Sequence, residues 1–146
     1  MPAKHEAVRK STLLLLLLAG LSVLSGYLLS RASWVGRTGI SLFYKQYRFL
    51  KVWWQGALAV FAVWLLLYLL HRTVEKRADR PAKIFHVFAV AVALIGFWLT
   101  YSDFRNDVSH RLLGERFHLG AYLFWAGWII IALFFLSIRK PVLPQP

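Results

Sequence analysis

Residues 84–138 read IFHVFAVAVALIGFWLT, then YSDFRNDVSHRLLGERFHL, then GAYLFWAGWIIIALFFLSI, two apolar runs on either side of a charged connector spanning 101–119. Each run approaches the roughly 20 residues that a helix needs to cross about 30 Å of hydrocarbon. The connector holds three of the six acidic residues of the chain and two of its five histidines. Two more apolar runs precede this unit, TLLLLLLAGLSVLSGYLL at 12–29 and VWWQGALAVFAVWLLLYLL at 52–70. The pattern predicts an all-α, polytopic membrane protein, a four-helix bundle forming one domain over residues 1–146, with spans at about 12–29, 52–70, 84–100 and 120–138.

Composition agrees. Of 146 residues, 59% are hydrophobic, among them seven Trp and 11 Phe, and the mean hydropathy is +0.55. A water-soluble domain of this length could not hide that much carbon. The formal charge is +12. Its bases fall almost entirely between the apolar runs, where they meet anionic lipid headgroups and not nucleic acid. The absence of cysteine removes disulfides, thiolate nucleophiles, Fe–S clusters and Cys-ligated zinc.

The first run is expected to be a retained helix and not a cleaved signal peptide, being longer than the usual 7 to 15 apolar residues, with arginine inside the only candidate cleavage site, Ser30-Arg31-Ala32. Small residues recur at Ser22, Gly26 and Ser30, at Ala89, Ala93 and Gly96, and at Gly120 and Gly127, faces on which another helix can come close. Between the first two runs, Ile40, Phe43, Tyr47, Leu50 and Trp54 alternate with Ser41, Lys45 and Arg48 at helical spacing, which predicts an amphipathic interfacial helix at about 40–51. Residues 71–83 read as a tight basic hairpin, and 141–146 as a disordered proline-rich tail. With both termini on the cytoplasmic side, ten bases lie inside and eight outside, which favours an N-in, C-in arrangement in a bacterial inner membrane.

The connector offers the candidate functional surface, Asp103, Asp107, His110, Arg111, Glu115, Arg116 and His118. If 103–119 is one helix, Asp107 faces His110 and Arg111, and Glu115 faces Arg111 and His118. Two acid-x-x-His units result, a spacing that presents an oxygen and a nitrogen ligand from adjacent turns. A single metal held by Asp107, His110, Glu115 and His118 would need the chain to bend at Gly114, because the two units lie roughly 80° apart on a straight helix. A buried di-metal centre is excluded, since the four runs contain no Asp or Glu. His71 and His86 fall in the same leaflet, where they would be two axial haem ligands.

No motif names a reaction, and no cofactor is expected. The reading is a small non-catalytic accessory or assembly subunit of a larger membrane complex, its partners other membrane subunits or a second copy of itself. A redox or metal protein using the histidines is the alternative, and a small-molecule carrier a third. Tags on both termini and in each connector should report four crossings with the ends on one side, and the purified chain should precipitate once detergent is removed. A product that stays dispersed in plain buffer overturns the membrane fold.

Overall fold

The computed structural model describes residues 2–31, 52–77, 79–107 and 114–138. The described chain is all-helical, without strands: α1 (Pro2–Ser30), α2 (Trp53–Glu75), α3 (Asp79–Asn106) and α4 (Glu115–Ser137). All four are long and apolar enough to span a membrane. The expected interfacial helix at 40–51 and the tail at 141–146 lie outside the described residues.

The helices outrun the apolar stretches that signal them. The N-terminal polar segment continues into α1, where Glu6 and Lys10 pair at 2.7 Å one turn apart and Thr12 bonds back to the Val8 carbonyl at 2.9 Å. Residues 71–75, expected in the hairpin, form the last turn of α2, which ends at Glu75. Asp79 opens α3, and Pro81 lies in its first turn, where a missing amide costs no intrahelical bond. The connector is not one helix: 101–106 end α3 and 115–119 begin α4. Gly114 marks the break with φ 92°, a conformation that side-chain-bearing residues rarely adopt.

The last helix is the axis of the bundle. It packs against α1, α2 and α3, whereas α1 and α3 do not touch and α2 meets α3 only sparsely. Close approach follows the small residues. The backbone of α2 at Ala57 and Trp53 fills the space beside Gly26, and Leu29 and Ser25 fill the space beside Gly120. The Trp64 indole covers Gly127, and that of Trp125 covers Gly96. Both rings also use their N–H, Trp64 donating to the Phe124 carbonyl at 3.0 Å and Trp125 to the Thr100 hydroxyl at 2.9 Å. Ser25 donates to the Gly120 carbonyl at 2.9 Å and so ties α1 to α4.

Trp64, Leu18 and Ile131 are fully buried at the centre, while Leu16, Leu66, Ile84 and Trp98 point outward and are more than 60% exposed. Small residues and a few large side chains fill the interior while most of the long aliphatic side chains face outward, an arrangement that would suit lipid, where packing and not water release holds helices together.

Because backbone already occupies the position of a side chain at 26, Gly26→Ala should separate α1 from α2 and destabilise the protein by about 1 to 3 kcal/mol. Gly20, with open space around it, should accept the same change with little effect. Thermal unfolding in detergent of the two variants checks the contrast.

Candidate functional site

Two polar clusters stand at opposite ends of the bundle. The first is what the described residues retain of the connector surface. Phe104 is buried near the end of α3, and His118, in the first turn of α4, stacks on it with ring centres 4.3 Å apart and planes 16° apart. Phe117 and Tyr122 complete the aromatic floor at 6.2 and 5.9 Å from Phe104. Arg105 donates to the Tyr101 hydroxyl at 2.5 Å, and Asn106 to the Ser102 hydroxyl at 3.1 Å, each one turn back along α3. Phe104, Arg105, Asn106, Glu115 and His118 line an open cleft of about 450 Å³.

Asp103, Asp107 and Arg116 are exposed around this end. His110 and Arg111 lie outside the described residues, so the Asp107–His110 unit is described only at Asp107, whereas Glu115 and His118 of the second unit both line the cleft. With the break at Gly114, Asp107 and Glu115 belong to the ends of two antiparallel helices and not to one face of a single helix. Among the described residues, no three His, Asp or Glu side chains converge as metal ligands.

The second cluster joins α2 to α3. His71 and His86 are each 1% exposed, stack with ring centres 4.8 Å apart, and place their Nδ1 atoms 2.6 Å from one another. On its other side, His86 Nε2 donates to Glu75 Oε2 at 2.7 Å. A carboxylate only accepts, so Glu75 fixes the proton of a neutral His86 on Nε2 and leaves its Nδ1 to accept from His71 Nδ1–H. The Phe135 ring of α4 lies against both imidazoles at 5.5 and 5.6 Å, and Phe85 meets His71 edge-on at 5.1 Å. His71 Nε2 is buried without a hydrogen-bond partner.

The two histidines expected as an axial pair are therefore together, but side by side. Axial nitrogens on one iron stand roughly 4 Å apart, as two metal–nitrogen bonds of about 2.0 Å require, with a macrocycle between the rings. A direct hydrogen bond occupies that gap here. Glu75 was not among the sequence candidates. Its signal was present, because it stands four residues after His71 on the same helical face, but it lay beyond the apolar run taken to end the span.

Comparison with family models, curated proteins and solved structures finds no match to this chain.

Removing one member of the chain leaves its neighbours desolvated and unbonded. His86→Leu should cost about 1 to 3 kcal/mol. The His71→Leu/His86→Leu double variant should cost less than the sum of the two single variants, because it removes both ends of the shortest bond together. Thermal melts of the four proteins in one detergent close the cycle.

Proposed function

We propose that this chain is a small non-catalytic integral membrane protein, an accessory or assembly subunit that docks to a larger membrane complex through the end of the bundle bearing the connector. The observation that supports the reading is the contrast between that end and the interior. The cleft of about 450 Å³ at the end offers Arg105, Asn106, Glu115 and His118 over an aromatic floor. The described middle of the bundle is filled by Trp64, Leu18, Ile131, Ala93 and Ala132, with no ionisable side chain between the two ends. Ionisable residues within membrane helices mark conduction paths and coupling sites, and a carrier needs a polar chamber. The buried Glu75–His86–His71 cluster sits at the opposite end and does not continue into the middle, so on this reading the chain acts through its surface.

The setting is a bacterial inner membrane with both termini in the cytoplasm. The outward-facing Leu, Ile and Trp side chains meet lipid, and the flanking Lys and Arg meet anionic headgroups. Nucleic acid has no part, and no cofactor is needed.

Purified from its own host in mild detergent, the chain should be colourless and metal-free and should carry partner subunits in fixed ratio. Arg105→Glu should lower the recovered partner at least about tenfold, equivalent to about 1.4 kcal/mol of binding, without lowering the melting temperature of the subunit itself. In liposomes the isolated chain should pass neither protons nor small solutes. A Soret band, a stoichiometric metal, or measurable flux overturns the reading.

A further inference from the structure

The Glu75–His86–His71 chain plays no role in docking at the other end of the bundle, yet it places the described bundle's two buried imidazoles in direct contact. It is also the polar tie between two helices that otherwise meet sparsely, since both of its hydrogen bonds run from α2 to α3. We propose that this cluster is a proton-binding site that holds α2 against α3 and releases them when a second proton enters the histidine pair.

The reasoning is a count of protons. With both rings neutral, His71 Nδ1–H donates to His86 Nδ1, His86 Nε2–H donates to Glu75, and His71 Nε2 carries a free lone pair. A first proton is taken up without breaking the chain. It enters at His71 Nε2, or equivalently His71 Nδ1–H passes to His86 Nδ1 while the new proton stays on His71 Nε2, leaving His86 as a cation beside the Glu75 carboxylate. One hydrogen still lies between the two Nδ1 atoms in either form. A second proton has no such place. Both Nδ1 atoms then bear hydrogens that face each other across 2.6 Å, and two cations stack at 4.8 Å in an apolar enclosure. The rings must part, and α2 and α3 part with them.

The groups facing the pair support this count. The contacts described for the pair are Glu75 from α2, the Phe85 ring from α3 and the face of Phe135 from α4. No ring or hydrogen-bond contact described for the pair comes from α1. The exposed bases Arg72, Lys76, Arg77, Arg80 and Lys83, with Asp79 among them, crowd the same end and add a positive field that opposes the second proton. The sign follows: the closed pair binds fewer protons than two separated rings, so closure is favoured at high pH and lost as pH falls.

The chain has no cysteine, so Arg72→Cys and Ile84→Cys, both at exposed positions on α2 and α3, can carry a spin-label pair in lipid nanodiscs. From about pH 8 to about pH 5, either side of the ordinary imidazole range near 6.5, the label distance should lengthen by about 5 Å, on the order of one helical turn. A reference pair at Gly20→Cys and Leu133→Cys, on α1 and α4, should not move.

His71→Asn, which cannot take up the second charge, should abolish the response. Glu75→Gln, which removes the anion favouring the charged rings, should shift its midpoint to lower pH. An unchanged distance in the wild-type protein, a full response in His71→Asn, or a midpoint moved upward in Glu75→Gln overturns the proposal. Should the variants fail to fold, histidine nitrogen NMR on the wild-type protein decides. Both rings must become cationic over the pH range in which the labels separate, and two cationic rings in a closed pair overturn the inference.

Discussion

The indole of Trp64 occupies the space in which any side chain at position 127 would begin, and the bundle is organised around that contact. Because residue 127 is glycine, α4 can lie close enough to α2 for the ring to cover its backbone and for the indole N–H to reach the Phe124 carbonyl. Trp125 repeats the device one helix over, covering Gly96 of α3 and bonding Thr100. All four helices are long and apolar enough to span a membrane, and in lipid apolar side chains would gain nothing by leaving one apolar surface for another, which would leave shape and satisfied polar hydrogens to decide which faces meet. Four helices of similar hydrophobicity thereby acquire unequal roles. The fourth is enclosed on several sides, and the third turns most of its length outward.

Among the described residues the middle of the bundle is filled by Trp64, Leu18, Ile131 and small residues, the charged and histidine side chains stand toward its ends, and the two ends differ. One carries a cleft between the end of α3 and the start of α4, where a stacked Phe104–His118 pair underlies Arg105, Asn106 and Glu115. The other carries a buried imidazole pair anchored by a carboxylate and surrounded by exposed bases. The first is open and mixed in charge, as a surface for another molecule would be. The second is closed and limited in the protons it can hold, as a latch would be.

The buried pair also shows how helix length alters chemical meaning. Read as part of a polar hairpin, Glu75 is one more solvated charge among five bases. As the last residue of a continuous α2, it is one turn beyond His71 and within reach of His86 across the helix pair. The same extension carries the end of α2 alongside the start of α3 at Asp79. A polar network then forms where the two helices otherwise have little in common.

Hydropathy and the spacing of small residues were enough to determine the all-helical class, the four long apolar helices and most of the packing faces. Ser22, Gly26 and Ser30 are buried on one face of α1, and Ala89, Ala93, Gly120 and Gly127 face neighbours as their spacing implies. These are local properties, since a helix of fixed pitch assigns faces by counting residues. The sequence could not show that α1 and α3 stay apart while α4 joins everything, nor that the connector breaks at Gly114, nor that His71 shares a hydrogen bond with His86 and reaches Glu75 through it. Those outcomes depend on which large ring meets which gap between residues far apart in the chain, and so only the tertiary structure decided them.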